Sequence, residues 1–223
     1  MYKDIYIIKG TEQESYKEFS LRIMKSLSEL VSRTDLLKIK VVYTTEAPPR
    51  FSIIPFRETK IASISVFKED EGLLNPMIQM QGFSGAYRVT EALPVEYKKT
   101  WHDGEITPGI CLLTLFNRKK GIDYDTFIHR WHNSHTPLSL KIHPLWNYSR
   151  NVVKEILEEN SIPYEGIVEE QLCTDRDLLN PFRFFGNPLV IIPRMIAVYT
   201  DTKSFLDYEG IEVFLAREII VKS

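Results

Sequence analysis

The stretch Phe116–Tyr148, FNRKKGIDYDTFIHRWHNSHTPLSLKIHPLWNY, decides how the rest of the chain is read. It holds four of the five histidines, His129, His132, His135 and His143. Asp123 is placed to cap a helix, since its side chain can accept from free N–H groups in the first turn. Beyond it Tyr124, Phe127, Trp131, His135, Leu138 and Ile142 recur at steps of three and four. That is one apolar helical stripe with an imidazole in one slot. An ionisable ring facing inward must be hydrogen-bonded, ligated or functional, because burying it unpaired is costly. In a cavity, neutral His135 can take a proton from carbon beside a carbonyl, or protonate a leaving hydroxyl, near neutral pH. A ring that bonds a neighbouring carbonyl and fills the core fits the same slot. Pro137, which has no N–H, is expected to kink or end the helix beside His135 and open space there.

His129-x-x-His132-x-x-His135 also invites a metal reading. Steps of three turn the helix by about 60° each, so the three rings spread over roughly 120° and converge poorly. No upstream carboxylate pattern completes a ligand set, and no metal is expected. Phe127, Trp131 and Trp146 are core or cavity-lining groups that suit a planar aromatic guest. Tyr148 can offer its O–H to a substrate oxygen. Arg118 and Arg130 can orient an anionic group or end in surface ion pairs. The chain contains no G-x-S-x-G, no G-x-x-x-x-G-K-[ST] and no G-x-G-x-x-G, which disfavours serine hydrolases and nucleotide-binding enzymes.

Working outward, residues 2–9 read as a strand apolar on both faces, and a helix is expected from a Thr11 cap through Val31. Alternation over 36–45 and 60–68 gives two strands, 73–80 a short helix, and 85–97 a closing strand with Pro94 at an edge or bulge. Strand–helix–strand–strand–helix–strand is the ferredoxin-like order. Residues 98–109, KKTWHDGEITPG, read as a linker. The order then recurs: strand 109–116, the histidine helix, strands 146–156 and 165–173, and a closing strand 210–221. Ile5 and Ile110 stand 105 positions apart and Gly85 and Gly210 125 apart, so the second half carries extra residues. These fall in the apolar stretch 177–199, expected to be covered by a second subunit, the other half or a ligand. The predicted architecture is α+β: ferredoxin-like halves 1–97 and 110–223, packed sheet to sheet as a barrel around an apolar ligand cavity.

Composition sets the bounds. Across 223 residues, 43% apolar and 26% charged is ordinary for a globular chain. A net charge of −2 gives no footprint for nucleic acid, so no nucleic-acid partner is expected. The first ten residues carry charges too early for a secretion signal, and no run approaches a membrane span, so no membrane partner and a cytoplasmic location are expected. Cys111 and Cys173 both sit in apolar runs and read as a reduced, buried pair.

GICLLTLFNRKKGIDYDTFIHRWHNSHTPLSLKIHPLWNY resembles the EthD-like group of the dimeric α+β barrel superfamily. The resemblance lies in an apolar strand, Arg118 in the turn, Asp123 at the helix start, Phe127, Trp131 and His135-Thr136-Pro137-Leu138. It covers about 40 residues, with an echo in Phe205-Leu206-Asp207 near the last helix. It implies a protein that handles small hydrophobic carbonyl or polyketide-like compounds, with Asp207 as an acid or orienting partner. The first expectation is a cofactor-free lyase, isomerase or cyclase with His135 as general acid or base. Alternatives are a non-catalytic accessory protein of an oxygenase or biosynthetic pathway, or a cofactor-light oxidoreductase of the monooxygenase sort. The resemblance also allows haem as a cofactor and a homodimer as the assembly.

Overall fold

The computed structural model describes residues 1–223. Eight strands form one closed antiparallel barrel: β1 (Tyr2–Lys9), β2 (Leu36–Tyr43), β3 (Ile61–Lys68), β4 (Phe83–Val95), β5 (Ile110–Phe116), β6 (Leu145–Ile156), β7 (Gly166–Leu172) and β8 (Glu212–Lys222). Their order around the barrel is β1-β3-β2-β8-β5-β7-β6-β4. The first four strands are contiguous, as are the last four. They meet where β2 pairs with β8 and β4 with β6. Closure leaves no free edge. Pro94 is accommodated by a shift of register between Ala92 and Val95.

The helices lie outside the wall. α1 (Tyr16–Val31) covers the N-terminal strands with Phe19, Ile23, Leu27 and Leu30 against Tyr6, Ile8 and Val41. Its cap is Ser15 rather than Thr11. Ser15 and Glu18 bond each other's backbone N–H as a capping box, and Thr11 is left in the preceding turn. α2 (Asn75–Ile78) is a single turn. The C-terminal strands are covered by α3 (Tyr124–His129), a π-helical segment (Arg130–His135), α4 (Thr136–Ile142), α5 (Asp175–Leu179), α6 (Pro181–Phe184) and α7 (Ile191–Phe205).

Alternation along the strands sorts the core into an inside and an outside. Ile5, Ile7, Val42, Ile61, Tyr87, Leu113, Ile167 and Phe214 belong to one cluster that draws on strands and no helix. They fill the barrel interior. At one end the same faces turn polar. Lys3 Nζ meets Glu91 at 2.6 Å and Asn151 at 2.7 Å, and Lys40 lies between Glu169 and Glu218. Tyr97 and Thr107 donate to Glu218 at 2.6 and 2.9 Å. These pairs tie strands from both halves across the barrel. The interior is packed with these side chains, and a cavity lies outside the barrel wall rather than within it as expected.

Cys111 is buried in the barrel wall. Cys173 is exposed instead of buried, because it stands just past the end of β7, where the chain turns outward.

Candidate functional site between the barrel wall and the helices

Outward-facing residues of β5, β6, β7 and β8 have to be covered, and the helix layer over them does not close completely. A cavity of about 570 Å³ remains. Leu112, Thr114, Phe116, Tyr148, Val168, Glu170 and Val213 form its floor on the barrel wall. Trp131, His135, Ser139, His143, Phe184, Phe185, Val198, Thr202 and Phe205 form its roof. The loop between β2 and β3 closes one side with Ile53–Arg57, held by the Arg57 N–H donating to the Val213 carbonyl at 2.8 Å. Volume and lining are those of a small-molecule site with few polar groups.

The helix carrying the histidines does not end at Pro137. It widens into π geometry over Arg130–His135, with the Thr136 N–H reaching back five residues to the Trp131 carbonyl. The wider turn absorbs the proline ring, which a regular helix would have met as a clash. Such π-bulges cluster at functional sites.

His135 lines the cavity and is held from both sides. Nδ1 donates to Asp201 Oδ2 at 2.8 Å, and the Ser139 hydroxyl donates to Nε2 at 3.2 Å. Ser134 donates to the other Asp201 oxygen. Burial alone would raise the Asp201 carboxyl, but the bonds from His135 and Ser134 outweigh it and keep the group below the ordinary carboxylate range. An ionised Asp201 fixes the tautomer with the Nδ1 proton and leaves Nε2 as an acceptor, taken up by the Ser139 hydroxyl, which also lines the cavity. Phe205 packs on the imidazole at 5.4 Å between ring centroids.

The other candidate residues divide. Trp131 and Tyr148 share the cavity with His135. Burial, reinforced by the Glu170 carboxyl, pushes the Tyr148 phenol well up. Phe127 stands behind Trp131, fully buried, with ring centroids 5.5 Å apart, and does not reach the cavity. Trp146 points away and packs with Tyr97 and Trp101 near the polar end of the barrel. Arg130 Nη1 donates to the Ser204 carbonyl at 2.6 Å, and Arg118 pairs with Glu165 at 3.3 Å. Asp207 lies outside the cavity, where its side chain accepts from the Glu209 N–H at 3.2 Å in the turn after α7. The carboxylate that orients His135 is Asp201, one helical turn before Phe205 and thus on the covered side of α7.

His129 and His132 do not join His135. The His129 ring pairs with Asn133 at 3.0 Å. Burial, with Arg150 and Lys154 nearby, lowers His132 to about 4. No group of three or more His, Cys, Asp or Glu side chains is arranged to hold a metal ion. His143 is in the roof, its Nδ1 donating to the Phe184 carbonyl at 3.0 Å and its ring stacked on Phe184 at 3.9 Å. Burial lowers it to about 4, so it stays neutral.

Sequence reading missed Glu170. This carboxyl sits in the cavity floor, only 8% exposed. Burial pushes it up to about 7. The signal was present in GIVEEQL, where adjacent Glu169 and Glu170 of one strand must face opposite sides of a wall covered on both.

Comparisons with known proteins bear on the fold. No family model matches the chain, and no curated protein matches it. A solved structure from Fusobacterium nucleatum subsp. nucleatum, named as a provisional monooxygenase, shares 10% identity over 99% of this chain and 92% of that one, with a TM-score of 0.52. An anthrone oxidase-like protein shares 7% identity over 100% of this chain and 94% of that one, with a TM-score of 0.62. The likeness is one of fold, an α+β chain built on an eight-stranded barrel. No helix is long and apolar enough to cross a membrane.

Proposed function

We propose that the cavity binds a planar hydrophobic carbonyl compound and that His135 Nε2 removes a proton from a carbon acidified by that carbonyl. The observation that carries this reading is the Asp201–His135 pair at 2.8 Å, which leaves Nε2 without a proton and bonded only by the Ser139 hydroxyl, a contact that a substrate can displace in the cavity. Delocalisation of the resulting carbanion into the carbonyl lowers the barrier, and the apolar walls exclude water that would compete for the proton. Two outcomes share this first step. In the first, return of the proton to another carbon gives an isomerisation; its delivery to a hydroxyl that leaves as water gives a lyase reaction; attack of the carbanion on a second carbonyl carbon, whose oxygen takes the proton, gives a cyclisation. Transfer of electrons from the carbanion to molecular oxygen, followed by loss of water, converts a CH₂ group and O₂ into a carbonyl and H₂O. The barrel likeness to a monooxygenase-named and an anthrone oxidase-like protein favours the second outcome, as an argument from fold alone. The oxygenase-type reaction is therefore the preferred reading.

The same proposal takes the chain as a tandem of ferredoxin-like halves, 1–97 and 110–223, with the second half EthD-like. Support comes from the contiguous strand blocks β4-β1-β3-β2 and β8-β5-β7-β6. Oxygen uptake in the presence of anthrone is the test, since its methylene is flanked by two aryl rings and conjugated to a ketone. Accelerated uptake with formation of the quinone, lost in His135→Ala, is expected. Uptake no faster than without protein, or equal in His135→Ala, overturns the oxygenase reading.

A further inference from the structure

Removing a proton from carbon pushes an electron pair onto the substrate oxygen, and that oxygen needs donors in a dry site. We propose that Tyr148 and Glu170 together form a two-donor oxyanion site for the oxygen of an enolisable ketone or a phenol, facing His135 across the cavity. This rests on the cavity reading given above and assigns the residues that would choose its ligand.

Position supports it first. Tyr148 on β6 and Glu170 on β7 are direct cross-strand partners, so their side chains leave the same face of the wall side by side. Both line the cavity, whereas His135 enters from the helix layer opposite. One wall therefore holds oxygen and the other reaches carbon.

Satisfaction of polar groups supports it second. The Glu170 carboxyl is buried in the cavity floor. An ionised carboxyl left there without donors is costly, whereas a protonated one is a donor in want of an acceptor. The groups around it are Tyr148 from β6, His135 and His143 from the roof, and Arg57 and Tyr208 at the rim; β5 offers only Leu112 and Thr114. None of these bonds the carboxyl. A substrate oxygen between the two O–H groups would accept from both. In the reaction the carbon-bound proton goes to His135 Nε2 and the electron pair moves to oxygen. Glu170 then donates its proton to give the enol, or shares it with the enolate. Return of that proton restores the site.

The test is binding of 2-acetylnaphthalene, whose ketone oxygen can only accept, with naphthalene as an apolar control lacking that oxygen. Both are titrated into the wild type, Glu170→Gln and Tyr148→Phe between about pH 5.5 and about pH 8, where neither ligand ionises. In the wild type the ketone should bind about tenfold more tightly at the acid end, because ionisation of Glu170 removes a donor and sets negative charge beside the ligand oxygen. Glu170→Gln keeps an amide donor and should bind at the tighter level throughout. Tyr148→Phe should weaken binding about fivefold at every pH and keep the slope. Naphthalene should bind all three forms alike. If the ketone binds no better than naphthalene, or its pH profile is unchanged in Glu170→Gln, the oxyanion site is wrong while the cavity stands. If naphthalene does not bind either, the cavity reading fails and takes this one with it.

Discussion

Glu170→Gln should alter the pH dependence of folding, and the size of the effect follows from the cavity floor. Burial raises this carboxyl from an ordinary 4.5 to about 7. Between those values the folded chain keeps a proton that the unfolded chain has released. The unfolded state then binds fewer protons, so stability falls as pH rises. The loss begins near the unfolded value and is complete once pH has passed the folded one. A gap of between two and three pH units, at about 1.4 kcal/mol each, gives roughly 3 kcal/mol. Gln cannot titrate and escapes this loss. Urea unfolding followed by tryptophan fluorescence should therefore show the variant gaining about 3 kcal/mol on the wild type between about pH 4.5 and about pH 8, with m unchanged. A stability difference that stays constant across this range would refute the burial argument for Glu170.

His143 should act with the opposite sign. Its folded value is lowered to about 4, so its contribution is intact above the unfolded value and is lost as pH falls toward 4. His143→Gln should flatten that acid limb in the same urea series. Gly166 admits no Cβ, which would meet the Phe116 ring at 2.5 Å and Trp131 at 2.9 Å. Gly166→Ala should cost about 1–3 kcal/mol in thermal unfolding and weaken naphthalene binding as those rings shift. On α7, Ile192, Ile196 and Tyr199 stand 50–60% exposed on one side. If this stripe joins two copies, as the homodimer expectation requires, sedimentation should show a dimer that Ile192→Glu with Ile196→Glu converts to a monomer. A wild-type monomer would retire that expectation.

What was legible in the sequence was what local patterns encode. Strand alternation and the recurrence of element order located all eight strands to within a few residues, because each strand has one covered face or two. The sequence also placed His135 on a covered stripe, since a helix repeats its facing residues within a few positions. It could not show that two apolar faces on β1 and β5 meant a filled interior and a helix-covered exterior, with the cavity on the outside. That depends on how eight strands close. Asp201 was illegible for another reason. Its tie to His135 spans 66 residues, and nothing local separates it from Asp207, which ends in a turn. The π-helical segment has no period of its own to detect. Pro137 marked the place but suggested a break where the helix widened instead.

Exchange of the anthrone methylene protons with deuterium from D₂O, followed by NMR under nitrogen, isolates proton removal from any later step with oxygen. With the wild type this exchange should be accelerated, and His135→Ala should lower it about 100-fold while still binding naphthalene. Exchange that His135→Ala leaves unchanged, or that the wild type does not accelerate, would contradict the assignment of His135 as the base of this site.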